Sequence, residues 1–215
     1  MFHIHDWQMK KELDYFRIEG AYGGNQEWFP DHWMKIGGCA AVTACDSCIY
    51  FDFHKGTKLY PYDQEHLTKK DYIQFGMIMK PYLKPRWTGI DTLEIYMDGF
   101  QKYLSDHGCN TIGMKPFYGD RSASDAIKVL MEQIDKGLPV PCLILKHKNP
   151  AFKDYVWHWF LLTGYGVLEE KYMVKVTTYG SFLWVGFDEL WDTGHQRKGG
   201  LVLYETILGV CNAIF

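Results

Sequence analysis

The chain has 215 residues, and its 23 Lys and Arg against 26 Asp and Glu give a formal net charge of −3 at pH 7. Hydrophobic residues make up 47% of it and charged residues 23%, which excludes an intrinsically disordered protein. The mild acidity argues against a general nucleic-acid binder, because such a protein needs a basic face. We therefore predict one domain over residues 1–215 with a sizeable core.

Aromatic residues are abundant: 8 Trp, 15 Tyr and 13 Phe account for 17% of the chain. Rigid apolar area on this scale fills a core or lines a groove. We expect the tryptophans at 28 and 33 to line a groove. Trp157 and Trp159 are expected in the core, because strand alternation puts them on the face opposite His158.

The chain ends and the cysteines predict a cytoplasmic protein without membrane association. Residues 1–11 lack the apolar stretch of a secretory signal, and no run approaches the ~18 apolar residues of a membrane span. The six cysteines are expected to be mostly reduced thiols. Cys45 and Cys48 have the spacing of half a zinc site, but no second close pair accompanies them. Buried packing is the favoured role, and we predict no metal and no cofactor.

In the first half of the chain, glycines and prolines mark the predicted boundaries. Residues 20–38 are rich in glycine and aromatics and are expected to form an ordered loop. At Gly37 and Gly38 the chain is predicted to turn sharply into a buried helix that begins at Cys39, because small and apolar residues follow. Prolines between residues 54 and 90 indicate loops around a short helix at 69–79.

Two further helices are predicted, from Asp91 to Ser105 and from Ser122 to Gly137, with acidic residues near their starts and glycines at or after their ends. Apolar strand-like segments follow at 138–146, 157–165, 172–178, 182–185 and 200–208, interrupted by a helical turn at 187–191. Helices come first and an antiparallel sheet follows, so the predicted fold class is α+β.

Cys39 has the position of a nucleophile. A thiol attacks as its thiolate, and both the amide-rich start of a helix and a nearby imidazolium lower the thiol pKa. Cys39 stands at such a helix start, and the first-turn amides there also suit an oxyanion beside the sulfur. Cys45 and Cys48 are rotated away from it, because each residue turns an α-helix by about 100°.

The base for this thiol has to come from elsewhere in the chain. Most of the nine histidines lie in polar or loop-like segments, whereas His158 begins an apolar strand between two tryptophans. A histidine at the edge of a core needs a hydrogen bond to offset its lost solvation. His158 is therefore the candidate base, and a structural histidine packed against aromatics is the alternative.

Three segments in a fixed order carry a family resemblance. They are Gly-Gly-Cys39-Ala-Ala at the start of a helix, Lys136-Gly-Leu-Pro-Val-Pro at the start of a strand, and His158-Trp-Phe-Leu-Leu-Thr-Gly-Tyr in a later strand. In this order the chain resembles the papain-like cysteine peptidase superfamily, especially the branch related to double-glycine leader peptidases. The likeness covers roughly residues 20–200 and implies a papain-like fold, with a helical part packed on a C-terminal antiparallel sheet.

The resemblance also implies catalytic roles. Cys39 and His158 would form a thiolate–imidazolium pair that attacks an amide or thioester carbonyl through an acyl-enzyme. The family usually has a Gln about six residues before the Cys to hold the oxyanion, but Trp33 stands there. Of the nearest amides, Asn25 and Gln26, we select Gln26 for this role.

The family orients its histidine with an Asn or Asp on the next strand. Here that strand offers Thr178 or Thr177, and Thr178 is the first choice. A hydroxyl accepts the imidazole N–H but stabilises imidazolium less than a carboxylate does. Asp188 and Asp192 are second choices for the same role.

Three functions remain open at this point. The first is a cysteine hydrolase acting on a peptide or another amide. The second is a binding protein for a peptide or glycan on the same fold, with weak or no chemistry. The third is a small-molecule amidase or acyltransferase, which would use the same Cys–His pair in a narrower pocket. The expected partner is a peptide or small amide substrate, with no nucleic acid and no membrane. The sequence leaves the oligomeric state open.

Overall fold

A seven-stranded antiparallel sheet and the helices packed against it form the framework of a computed structural model that describes residues 7–207. The mixed α+β class predicted from the sequence is confirmed. The helices span His32–Gly37 (α1), Cys39–Lys55 (α2), Lys69–Met79 (α3), Leu93–Asp106 (α4), Ala123–Asp135 (α5) and Phe187–Trp191 (α6), with short 3-10 helices at Gln26–Trp28 and Pro150–Tyr155.

The strands span Trp7–Glu12 (β1), Arg17–Ile18 (β2), Ala21–Tyr22 (β3), Ile112–Tyr118 (β4), Val140–Ile144 (β5), His158–Leu168 (β6), Lys171–Thr178 (β7), Ser181–Gly186 (β8) and Gly200–Thr206 (β9). The large sheet has the order β4-β9-β5-β6-β7-β8, and β1 pairs with the second half of β6. β2 and β3 form a separate small hairpin. The consecutive antiparallel strands β6, β7 and β8 carry the predicted base and its neighbours.

Local sequence signals explain the helix boundaries. The Thr68, Thr92 and Ser122 side chains accept hydrogen bonds from the N–H groups of residues 71, 95 and 125, as N-cap residues do. Gly137 follows the end of α5 with a φ of +69°, a left-handed conformation that glycine adopts at little cost. The predicted helices at 69–79, 91–105 and 122–137 are therefore found close to their expected bounds.

Two strands of the large sheet, and the small hairpin of β2 and β3, were not predicted. β1 has exposed, mostly polar side chains and joins the sheet through backbone hydrogen bonds to β6, so it shows no apolar periodicity. β4 contains Pro116, which is tolerated because β4 is an edge strand that pairs only with β9. The predicted loop at 20–38 contains helix α1, and the last residue of the predicted strand at 200–208 lies outside the described residues.

α2 is the central helix, and it packs against β6. Its side chains from Cys39 to Asp52 are all buried, which explains why small residues such as Ala, Ser, Thr and Cys dominate it. Buried residues of the helices and of the sheet belong to one continuous apolar cluster. The packing of α2 on β6 brings the first residue of the helix near the first residue of the strand.

The predicted sharp glycine turn before α2 is wrong. Gly38 has φ −84° and ψ 6°, so α1 passes into α2 through an almost helical residue. Gly38 is required for another reason: a Cβ there would lie 2.3 Å from the Met34 carbonyl oxygen. A Cβ on Gly37 would meet only Pro85, at 3.5 Å.

Candidate functional site

Cys39 is the first residue of α2, and its side chain faces backbone amides. The N–H groups of Trp159, Ala40 and Cys39 itself act to lower the thiol pKa, but burial outweighs them, and the net pKa lies above its usual value. These amides come from two elements, the first turn of α2 and the start of β6. They are donors already positioned for negative charge on or beside the sulfur.

His158 is the first residue of β6, and its ring is fixed from the neighbouring strand. Its Nε2 lies 2.7 Å from the Thr178 hydroxyl oxygen. When Nε2–H donates to this oxygen, the lone pair of the neutral ring is on Nδ1, the position a base needs. The residue is only 4% exposed, and burial lowers its pKa from 6.5 to about 4.

Tyr179 covers one face of the His158 ring. The two rings are parallel, with an interplanar angle of 2° and centroids 4.6 Å apart. The Tyr179 hydroxyl lies 3.5 Å from Nδ1. Because the rings are stacked, this hydroxyl lies above the imidazole plane and away from the in-plane lone pair. We treat it as a packing contact that leaves the Nδ1 lone pair available.

Two aromatic residues beside His158 have left-handed backbone conformations. Trp157 has φ +54°, and Tyr179 has φ +52° in the two-residue turn that it forms with Gly180. Such turns favour Asn-Gly, and a bulky residue at positive φ carries strain that clusters at functional sites. Trp157 therefore lies outside the strand and is 44% exposed, so its predicted core position is wrong. Trp159 is buried as expected.

Cys39 and His158 line the same small cavity. The cavity measures about 10 Å³, roughly the room for one water molecule, and Gly24, Gln26, Thr43, Asp46, Thr178 and Tyr179 also line it. No hydrogen bond joins the thiol to the imidazole, both of which lie in the described part of the chain. The two pKa shifts both favour the uncharged forms, so the resting pair is a neutral thiol beside a neutral imidazole.

Gln26 reaches this cavity from the 3-10 helix, whereas Asn25 and Trp33 do not line it. The Gln26 Nε2 donates a hydrogen bond to the Lys35 carbonyl oxygen at 3.2 Å, which sets the orientation of the amide. Its Oε1 is buried and has no hydrogen-bond partner among residues 7–207. Asn25 caps the 3-10 helix, and its Nδ2 donates to the Tyr179 carbonyl oxygen at 3.1 Å.

Asp46 is a functional candidate that sequence reasoning missed. Its carboxylate accepts hydrogen bonds from the Tyr15 and Tyr72 hydroxyls and from the Gly24 N–H. Burial raises its pKa to about 6. The Gly24 carbonyl in turn accepts the Gly180 N–H at 2.9 Å, so Asp46 fixes the glycine-rich loop that holds the Tyr179 turn. Its position two helical turns after Cys39, on the same face of α2, was the available signal.

The second-choice residues lie elsewhere. The Thr177 hydroxyl pairs with the Thr163 hydroxyl at 2.8 Å. Asp188 belongs to α6, and Asp192 follows it and lies 3.6 Å from the Lys198 Nζ. Neither aspartate is among the hydrogen-bond partners of His158 in the described chain.

Cys45 and Cys48 are buried inside α2, where desolvation raises both thiol pKa values well above the usual range. Within residues 7–207, no group of three or more His, Cys, Asp or Glu side chains is placed to hold a metal ion. The buried-packing role that the sequence favoured for these two thiols agrees with their location.

Cys39 is also reached from the surface by an open groove of about 540 Å³. The groove contains Trp33, Ile36, Gly37, Cys39, Arg86, Trp87, Thr88, Gly89, Asp91, Trp157 and Arg197. Cys39 thus lines two spaces, the small cavity that it shares with His158 and the open groove. Trp33, which is expected from the sequence to line a groove, lines this open groove.

Comparison with known proteins returns no matching family model and no matching curated protein. No helix among residues 7–207 is long and apolar enough to cross a membrane. Fold and site define a mixed α+β protein with a buried thiol and a buried imidazole on one cavity.

Proposed function

We propose that this chain is a cysteine hydrolase of the papain-like type, which cleaves a peptide or another amide through an acyl-enzyme on Cys39. One observation carries the proposal. Cys39, at the amide-rich start of a buried helix, shares a cavity with His158, whose Nε2 is 2.7 Å from the Thr178 hydroxyl. A nucleophile and a base on one cavity, with a hydroxyl that orients the base, support nucleophilic catalysis at this site.

The uncharged resting state supports general-base activation. As the Cys39 sulfur bonds to the substrate carbonyl carbon, its proton passes to Nδ1 of His158, and the carbonyl oxygen becomes an oxyanion. We assign the amides at the start of α2 and the second Nε2 hydrogen of Gln26 as the donors to that oxygen. The Thr178 hydroxyl accepts from Nε2–H and steadies the imidazolium while it exists.

The remaining steps return both groups to their starting forms. His158 gives its Nδ1 proton to the leaving amine as the C–N bond breaks, which leaves a thioester on Cys39. Water then attacks the thioester carbonyl and passes a proton to His158. The C–S bond breaks, the thiolate recovers that proton, and a carboxylic acid leaves.

Alkylation by iodoacetamide at about pH 6, followed by peptide mass analysis, tests the proposal. Cys39 is expected to react much faster than the other thiols, because His158 removes its proton during attack. His158→Ala should abolish this selectivity, and His66→Ala, a substitution at an exposed histidine, should preserve it. Equal, slow labelling of all thiols in the native protein would contradict a hydrolase.

The small size of the cavity and the uncharged forms of Cys39 and His158 favour one second candidate. It is a binding protein on the same framework for a peptide or glycan. That function predicts slow, unselective labelling together with retained ligand binding. If labelling is selective, peptide and small-amide acylating probes separate a peptidase from a small-molecule amidase or acyltransferase. The peptidase is expected to acylate faster from peptides.

A further inference from the structure

The open groove beside Cys39 exposes large apolar side chains at one place. Trp87 is 90% exposed, Trp33 42%, Ile36 55% and Trp157 44%. The Trp33 and Trp87 rings meet edge to face with centroids 6.2 Å apart, so two of these side chains form one aromatic wall. A contiguous exposed apolar patch in a concave site marks a binding surface, and its volume is that of a ligand site.

The charge of the groove differs from that of the chain. The protein carries a formal charge of −3, but Arg86 and Arg197 both line the groove. Arg197 is paired through Nη2 with the Asp91 carboxylate at 2.6 Å. Arg86 is exposed, and among residues 7–207 no carboxylate lies within salt-bridge distance of it. The groove therefore presents a guanidinium without an acidic partner beside an aromatic wall.

We propose that this groove binds a peptide segment in which an aromatic side chain stands next to a carboxylate. The aromatic ring packs against Trp33 and Trp87, and the carboxylate pairs with Arg86, whose planar guanidinium suits it. Cys39 lines the same groove, so a segment held there has its neighbouring amide close to this residue. The role of this groove in substrate recognition rests on the proposed hydrolase function, whereas peptide binding in the groove does not depend on it.

Saturation-transfer NMR with three short peptides tests the proposal on the native chain. N-acetyl-Phe-Glu-amide carries both features, N-acetyl-Phe-Gln-amide lacks the charge, and N-acetyl-Ala-Glu-amide lacks the ring. We expect the first to bind about threefold more tightly than the second, as for an exposed ion pair. It should bind about tenfold more tightly than the third, because the ring buries apolar area.

Variants assign these differences to residues. Trp87→Ala removes an exposed ring and should weaken N-acetyl-Phe-Glu-amide about tenfold. Arg86→Met should remove the preference for Glu over Gln, and Arg121→Met, at an exposed arginine outside the groove, should keep it. Equal affinity for all three peptides, or a preference unchanged in both groove variants, would overturn the proposal.

The NMR experiment measures peptide binding without any reaction at Cys39, so the groove proposal and the hydrolase proposal can be contradicted independently of each other. Peptide preference together with unselective alkylation would leave a binding groove and remove the hydrolase. Selective alkylation together with equal peptide affinities would leave the hydrolase and remove this specificity.

Discussion

Two buried residues of the site have pKa values displaced in opposite directions. Burial lowers the pKa of His158 from 6.5 to about 4 and raises that of Asp46 from 3.8 to about 6. Each shift favours the uncharged form, because desolvation penalises charge of either sign.

These shifts predict opposite effects of pH on stability. His158 is protonated below about pH 6.5 in the unfolded chain but only below about pH 4 in the folded chain. The stabilisation of the folded state that this difference provides is therefore fully present above pH 6.5 and is lost as the pH falls to 4. The folded chain keeps the Asp46 proton up to about pH 6 and the unfolded chain only to about 3.8. The stabilisation of the folded state by protonated Asp46 is therefore present at low pH and is lost as the pH rises to 6.

Urea unfolding of His158→Gln and Asp46→Asn between pH 4 and 6.5 measures both effects. Relative to the native chain, His158→Gln should lose about 3 kcal/mol of stability as pH rises through this range. Asp46→Asn should gain about 3 kcal/mol over the same range. Parallel stability curves for all three proteins would contradict the two shifts.

Thr178 is a positioning residue for His158, because its hydroxyl is the hydrogen-bond partner of Nε2. Thr178→Val removes the hydroxyl at nearly constant shape and should slow Cys39 alkylation about tenfold, the value of one hydrogen bond of about 1.5 kcal/mol. Thr178→Ser restores the hydroxyl and should restore the rate. Thr177→Val is the matched control, because the Thr177 hydroxyl pairs with Thr163. Equal slowing by both valine variants would indicate a general packing effect.

At the scale of elements, the junction of α1 and α2 positions the sulfur. A Cβ on Gly38 would lie 2.3 Å from the Met34 carbonyl oxygen, whereas one on Gly37 would lie 3.5 Å from Pro85. We expect Gly38→Ala to cost about 1–3 kcal/mol, because the helix start has to shift. Gly37→Ala should cost less than about 0.5 kcal/mol. Thermal unfolding of the Gly38→Ala and Gly37→Ala variants, with Cys39 alkylation as a second readout, measures this difference. Equal effects of the two substitutions would contradict the prediction.

The turn between β7 and β8 covers the base. Tyr179→Asn replaces an aromatic residue at positive φ with one that tolerates this conformation, so the stability of the turn should not fall. It also removes the ring stacked on His158, so the His158 pKa should rise from about 4 toward 6.5.

An NMR titration of the His158 ring protons measures this pKa in the native and variant chains. Tyr172→Ala, at an exposed position on β7, is the control and should leave the His158 pKa near 4. An unchanged pKa in Tyr179→Asn would show that the stacked ring is not what desolvates the base.

At the scale of the whole molecule, segments with their own local signals were predictable. Surrounding prolines indicated α3, acidic starts and terminal glycines indicated α4 and α5, and apolar runs indicated β5 to β9, which gave the α+β class. β1 and β4 were missed because an exposed strand and a proline-containing edge strand depend on a partner strand for their structure. No local pattern specifies that partner.

The site was predictable to the same limit. Cys39 and His158 stand out through helix-start and apolar context, whereas Thr178 was selected through the family resemblance. Tyr179 and Asp46 were missed because their roles depend on a turn conformation and on a loop that folds back from residue 24. Trp157 was placed wrongly because its positive φ makes the strand begin one residue later than the apolar run indicates.

The central claim is that His158 removes the Cys39 proton during attack, and the pH dependence of Cys39 alkylation tests it most directly. The rate in the native chain should stay near a plateau from pH 7 to 5 and fall with a midpoint near pH 4, where the ring becomes protonated. In His158→Gln the plateau should disappear. A native rate that falls about tenfold for each pH unit below 8, as for an isolated thiol, and that is unchanged in His158→Gln would contradict the claim.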